Sequence, residues 1–320
     1  METDTTKAGE ERTAEIGHLG VEDASTAEAR KALHEENRLS WNEATKAHNS
    51  HKLDQAKFFR EGGQKLFPEE IELFGDLAGK SVLHLQCNAG QDTLSIKQLG
   101  AARVLGVDIS DEAIGFAQKL SADSGLEGTF VRADVYDWLA DAAKGDERWD
   151  VVFCSYGAIC WLSDLTTWAK GVAALLKPGG RFVTVEFSTV AGMFDEELRH
   201  AFPYSSHGKA LTWDDGVGDY VGQSGAEITP SGWADGVQGF KNPHRVHEFC
   251  WATSEVITAL LDAGLVLDHF REYDYSNGFR GFSNMAPLPG RRWTLPEGVP
   301  AMPLMYSITA RKPSQPGQVR

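Results

Sequence analysis

The chain has only four cysteines in 320 residues, Cys87, Cys154, Cys160 and Cys250, with no Cys-x-x-Cys spacing, so no disulfide framework is available to it. His48-x-x-His51 and His244-x-x-His247-x-x-Cys250 have spacings a metal can use, but neither is a complete ligand set, and no metal is expected. No apolar run approaches the roughly 18–20 residues that span a bilayer, which argues against a membrane partner. The opening METDTTKAGEERTAE is polar and acidic where a secretory signal is basic and then apolar, so a cytoplasmic location is expected. Basic residues are also short: 31 Lys and Arg against 46 Asp and Glu leave a net charge of −15, which repels phosphate backbones and makes nucleic acid an unexpected partner. Internal repeats are absent. With 42% hydrophobic and 24% charged residues, the composition is that of an ordinary globular protein.

Residues 1–28 carry few large apolar side chains and read as a disordered leader. Strong helix formers over 29–63, ending in Gly62-Gly63, and a helix opened by Pro68 read as an N-terminal helical lid over 29–75. Strand and helix patterns then alternate: SVLHLQ (81–86), GQDTLSIKQLG (90–100), ARVLGVDI (102–109), a helix capped by Ser110, TFVRADV (129–135), a short helix near Trp138, DVVFCSY (150–156), a helix capped by Ser163 and stopped by Lys177-Pro178-Gly179-Gly180, and RFVTVEF (181–187). This alternation predicts a doubly wound α/β core over 76–187 and 251–312. Residues 188–250 are rich in Gly, Pro and aromatics without a clear period and read as an inserted substrate cap. A helix over 254–264, strands LVLDHFREY and PLMYSITARK, and a loose tail over 313–320 complete the chain.

Open α/β sheets bind ligands beyond the carboxyl ends of their strands, which points to the turn VLHLQCNAGQD. Asn88 and Gly90 tolerate the left-handed backbone such a turn needs. Asp108, 18 residues beyond Gly90, is placed to accept hydrogen bonds from ribose hydroxyls, and Asp134 from an adenine amino group. Together these residues suggest an adenosine site.

With the motifs HLQCNAG, GVDIS, RADV, DVVFCSYGAICWL and LLKPGGRFVTVEF in this order over about 78–187, the sequence resembles the class I S-adenosylmethionine-dependent methyltransferases, a seven-stranded Rossmann-like family, of the small-molecule type. The resemblance implies a mostly parallel sheet with an antiparallel last strand, and S-adenosyl-L-methionine as cofactor. It places Gln86, Cys87, Asn88, Gly90 and Gln91 around the methionine and ribose, Asp108 and Ile109 at the ribose, Asp134 and Val135 at the adenine, and Ser155 and Tyr156 beside the sulfonium. The family's first motif carries an acid and a Gly-x-Gly-x-Gly run where this chain has His84, Gln86, Asn88 and Gly90, so the turn is a variant one.

The sulfonium is already a good leaving group, so the protein must chiefly align an acceptor behind the methyl and exclude water. The resemblance and the chain order nominate His247 first as a proton acceptor, with Glu186, Asp219 and Tyr156 as further candidates at the reacting centre. Trp41, Asn42, His48 and His51 of the lid are expected over the cofactor or acceptor, and Tyr204, Trp213, Tyr220 and Trp233 of the cap are expected to cover the acceptor. The expected activity is methyl transfer to nitrogen or oxygen of a small molecule, in specialised metabolism, by a monomer or homodimer. Carbon methylation of a small aromatic, or cofactor binding without turnover, are the alternatives.

Overall fold

The computed structural model describes residues 19–22 and 24–314. Most of the expected leader, and the end of the expected loose tail, lie outside the described residues. The part of the leader that is described departs from expectation. Leu19–Glu22 is a strand (β1), and α1 already begins at Ala27, capped by the Thr26 hydroxyl, and runs to Ser50. Two short helices follow, α2 (Gln55–Arg60) and α3 (Pro68–Phe74); the latter has Pro68 at its first position and Glu69 and Glu70 at its positive end.

The alternating core then begins with β2 (Ser81–Leu85), α4 (Gln91–Gln98), β3 (Arg103–Asp108), α5 (Asp111–Ser124), β4 (Thr129–Arg132), α6 (Val135–Ala142), β5 (Trp149–Ser155), α7 (Leu165–Leu175) and β6 (Leu176–Phe187). Ser110 caps α5 as expected, but the cap of α7 is Asp164, whose carboxylate accepts from the Thr167 N–H; Ser163 instead meets His34. The Lys177–Gly180 segment, expected to stop α7, follows its end at Leu175 and lies in the start of β6. There the register against β5 shifts between Trp149 and Val151, and a side chain at Gly180 would lie 2.9–3.1 Å from three backbone carbonyls.

The 188–250 region carries β7 (Ala210–Trp213), α8 (Tyr220–Ser224) and β8 (Val246–Glu248). Strand β7 pairs on one edge with β1 and on the other with β8, so the residues expected to form a leader complete a sheet with the cap. After α9 (Thr253–Asp262) come β9 (Val266–Tyr273), a small sheet of β10 (Tyr275–Asn277), β11 (Ala286–Leu288) and β12 (Arg292–Thr294), and finally β13 (Met305–Arg311). Three-residue strands are too short to show a period in the sequence, so this small sheet is visible only in the fold.

The central sheet has the order β4-β3-β2-β5-β6-β13-β9. Its first five strands are parallel, and β13 is antiparallel to both neighbours. Along β5, Val151 and Phe153 pack with Phe74, Val82 and Ile96 on one face, while Val152 and Cys154 pack with Trp168, Val172 and Leu260 on the other. This period of two, with helices on both faces, makes the sheet a rigid core. Strand order reverses between β2 and β5, which leaves the carboxyl ends of β2, β3 and β5 around one crevice.

Candidate active site

The turn after β2 is built on left-handed backbones at three alternate positions, Gln86 at φ 55°, Asn88 at φ 47° and Gly90 at φ 78°. Asp108, at the end of β3, holds this turn: one carboxylate oxygen accepts from the Asn88 N–H at 2.8 Å and the other from the Ser110 N–H at 2.9 Å. Burial raises the Asp108 pKa, and the N–H groups of Ser110, Asn88 and Ile109 oppose that shift. Gly90 is required twice over, since a Cβ there would also lie 2.6 Å from Ala117 and 2.8 Å from Phe130. The Asn88 amide oxygen folds back onto the Ala89 N–H at 2.6 Å, which helps a non-glycine residue keep this conformation.

Gln86 donates its amide N–H to the Ala158 carbonyl at 2.6 Å, while its Oε1 is buried and has no partner. An orphaned acceptor costs free energy unless a ligand donor completes it. In the same turn Gln91 donates to Gln55 at 2.6 Å, tying α4 to α2. Cys87, expected to line the ligand, instead packs below the turn among Leu94, Ile114 and Phe130, with its thiol pKa pushed up by burial. Gly106 leaves it room: a Cβ there would be 2.6 Å from the sulfur.

Helix α1 crosses the ends of β3 and β4 and is pinned by residues four apart. His34 bonds Asp134 at 2.6 Å, Arg38 pairs with Asp111, and Asn42 accepts from the Ser110 hydroxyl at 2.8 Å. The Asp134 carboxylate is thereby committed, one oxygen to His34 and the other to the Tyr136 N–H at the start of α6. Burial pushes its pKa up, and the His34 bond and charge together with the Tyr136 and Asp137 N–H groups more than offset this, leaving it lowered. Asp134 therefore positions the lid, in addition to any contact it makes with a ligand. Ile109 and Val135 are half-buried beside these acids.

Several expected reacting groups sit elsewhere. His247 is fully buried, with Nδ1 bonded to Thr212 at 2.9 Å and Nε2 to Glu36 at 2.8 Å, so it has no nitrogen free for an acceptor. Its place in β8 welds α1 to the cap, a pairing between residues 211 apart in sequence. The Glu186 carboxylate accepts from the N–H groups of Gly157, Ala158, Ile159 and Phe187, and thus fixes the loop after β5 instead of acting as a base. Asp219 is held by His51 at 2.6 Å and caps α8 through the Gly222 N–H. Trp213 packs against Phe202 inside the cap, and Tyr204 lies 39% exposed at the surface, so neither covers the crevice. His51 stacks on Trp233 with ring centroids 4.8 Å apart and faces a cleft of about 760 Å³ in the cap, next to Asp219.

Other residues do converge. Ser155 ends β5, and Tyr156 follows it with φ 36°. The Tyr156 hydroxyl donates to Glu70 at 3.1 Å and accepts from Asn277 at 2.9 Å. Its ring begins an aromatic lane: Tyr156 contacts Phe67 on one side and Phe187 on the other, then Phe187 meets Phe279, Phe279 meets Tyr220, and Tyr220 meets both His48 and Trp41. His48 donates Nε2–H to the Gly218 carbonyl at 2.9 Å, which leaves Nδ1 as the lone-pair nitrogen, buried and without a partner. Burial lowers the His48 pKa to about 4 and keeps it neutral. Glu70, Phe67, Phe279 and Asn277 escaped the sequence reading, because a Glu-Glu pair opening a helix looks like simple dipole complementation.

Residues 82–180 match the family model of a methyltransferase domain. The sheet order and the antiparallel β13 are those that the sequence resemblance implied for this region. Similar curated proteins are the ubiquinone biosynthesis O-methyltransferase of Proteus mirabilis (strain HI4320), 32% identical over 114 residues (36% of this chain and 43% of that protein), and its namesake in Paraburkholderia phytofirmans, 34% identical over 122 residues (38% and 48%). The chain thus spans about half or less of the length of these relatives. The CcbJ methyltransferase of Streptomyces caelestis shares the fold, with a TM-score of 0.50 at 15% identity over 86% of this chain and 99% of that one. No helix among the described residues is long and apolar enough to cross a membrane, and these residues contain no group of three potential metal ligands.

Proposed function

We propose that the protein transfers a methyl group from S-adenosyl-L-methionine to nitrogen or oxygen of a small-molecule acceptor. The observation that carries this reading is the turn 86–90: three left-handed backbones held by Asp108, with the orphaned Gln86 Oε1 beside them. Gln86 Oε1 would accept from the amino group of the methionine moiety, Asp108 from the ribose hydroxyls, and the Trp41 face of α1 would close over the cofactor. The cofactor supplies an activated methyl on a positively charged sulfur, and what the chain adds is alignment and exclusion of water. The aromatic lane suits a planar acceptor.

When a neutral hydroxyl or a weakly basic heteroaromatic nitrogen takes the methyl it becomes a strongly acidic cation, and His48 Nδ1, a weak base with a pKa of about 4, takes its proton. The Gly218 carbonyl fixes the tautomer, and burial keeps the lone pair free at neutral pH. A His48→Gln variant retains a donor for Gly218 but loses the basic nitrogen. With an acceptor found by screening phenols, amines and heteroaromatics for S-adenosylhomocysteine release, kcat is expected to fall about 100-fold. Cofactor affinity should not change. An undiminished kcat removes His48 from the reaction.

A further inference from the structure

Helix α1 lies outside the alternating core, yet its His34 reaches Asp134, 100 positions further along the chain, beyond the carboxyl end of β4. The contact is direct: His34 Nδ1 lies 2.6 Å from one carboxylate oxygen, and the other oxygen accepts from the Tyr136 N–H at 2.8 Å. Asp134 is ionised at neutral pH, its pKa lying below the ordinary carboxylate value, so it has no proton to give and His34 Nδ1 is the donor. The imidazole is itself fixed on two further sides. Its Nε2 bonds the Ser163 hydroxyl at 2.9 Å, and its ring stacks on Tyr136 with centroids 5.4 Å apart and 9° between the planes. The neighbouring cations of α1 have other acids, Arg30 at 3.7 Å from Asp164 and Lys31 at 3.0 Å from Asp137. His34 is thus the side chain of the lid that sets this carboxylate.

A carboxylate offers about four lone-pair directions, and these bonds use only part of them. The Asp134 side chain also keeps 17% of its surface exposed, against 9% for His34, so an edge of it stays open to a ligand. The terminal torsion of an aspartate is broad, and the single Tyr136 bond would let the group turn; a second bond on the other oxygen fixes its plane. Resting on the methyl-transfer reading, we infer that His34 is a positioning residue for base recognition: it holds the open edge of Asp134 toward the exocyclic amino group of the cofactor's purine and so sets selectivity for a 6-aminopurine. The recognising acid belongs to the core and the residue that aims it to α1, so base selectivity is complete only with the lid in place.

Isothermal titration of the whole protein would compare S-adenosylhomocysteine with its analogue that carries hydrogen in place of the 6-amino group. The wild type is expected to prefer the amino compound about tenfold or more, the effect of one hydrogen bond to a charged acceptor. His34→Phe keeps a ring against Tyr136 but has no nitrogen, and His34→Leu removes the ring as well. In each the preference should fall below about threefold, through weaker binding of S-adenosylhomocysteine, while affinity for the analogue stays within about twofold. His34→Asn, whose amide nitrogen can take the place of Nδ1, should restore most of the preference. Circular dichroism identifies a variant that has not folded, and either nitrogen-free variant carries the test. A residue that only packs the lid would weaken both ligands alike and leave their ratio unchanged, and that result, or an undiminished preference in a folded variant, overturns the inference. A wild type that binds both ligands equally overturns it too, by removing Asp134 from the base, while the methyl-transfer reading stands. A wild type that binds neither overturns the methyl-transfer reading, and the inference with it.

Discussion

Asp108→Ala is expected to weaken S-adenosylmethionine binding by at least about 100-fold while the protein stays folded. In the proposed complex the carboxylate accepts from two ribose hydroxyls, and bonds to a charged acceptor contribute roughly 1.5–3 kcal/mol each. Two of them amount to about 100-fold or more in affinity. A second contribution acts through the turn, because the same side chain holds the Asn88 and Ser110 N–H groups and so keeps a left-handed Asn88 in place. The sheet should survive, since Asp108 ends its strand and belongs to none of the packed apolar clusters. Calorimetry beside circular dichroism checks this, and micromolar binding by the variant would remove Asp108 from the ribose.

Glu70→Gln should alter the pH dependence of stability by several kcal/mol. Glu70 is 1% exposed, accepts from the Phe67 N–H and the Tyr156 hydroxyl, and faces the charges of Asp92, Lys65 and Arg291. Burial, aided by Asp92, raises its pKa from the ordinary 4.5 to about 8. A carboxyl whose folded pKa is raised keeps its full stabilising effect below the unfolded value and loses it as pH rises through the folded one. Between about pH 4.5 and 8 the wild type should therefore lose stability relative to the variant by about 1.4 kcal/mol per pH unit. Other titrating groups largely cancel in the difference. Urea unfolding of both proteins at pH 5, 6, 7 and 8 measures it, and parallel curves would mean that Glu70 is ionised in the native state.

The core was legible because its signals are local. Period-two strands, the Ser110 cap and the spacing from Gly90 to Asp108 each lie within a few residues or one β-α-β unit, and the structure has them where the pattern put them. The glycine-poor turn was readable too, since Asn88 and Gly90 do take left-handed backbones. Long-range pairing was not legible. Nothing near His247 reveals that Glu36 and Thr212 will occupy both ring nitrogens, and nothing near Leu19 reveals that it will pair with Trp213. Glu186 failed as a base for a related reason: an acid at a strand end can serve substrate or backbone, and only the folded loop shows four N–H groups already directed at it. His48 and His51, three residues apart, look alike in sequence. The fold commits both nitrogens of His51, to the Gly236 N–H and to Asp219, and leaves one nitrogen of His48 free.

The central claim is that the acid-held turn binds S-adenosylmethionine. Isothermal titration of the purified protein with S-adenosylmethionine, S-adenosylhomocysteine and NADH tests it most directly. Binding of the first two in the micromolar range, one molecule per chain, with no heat from NADH, is the predicted result. Binding of NADH, or of none of the three, would contradict it.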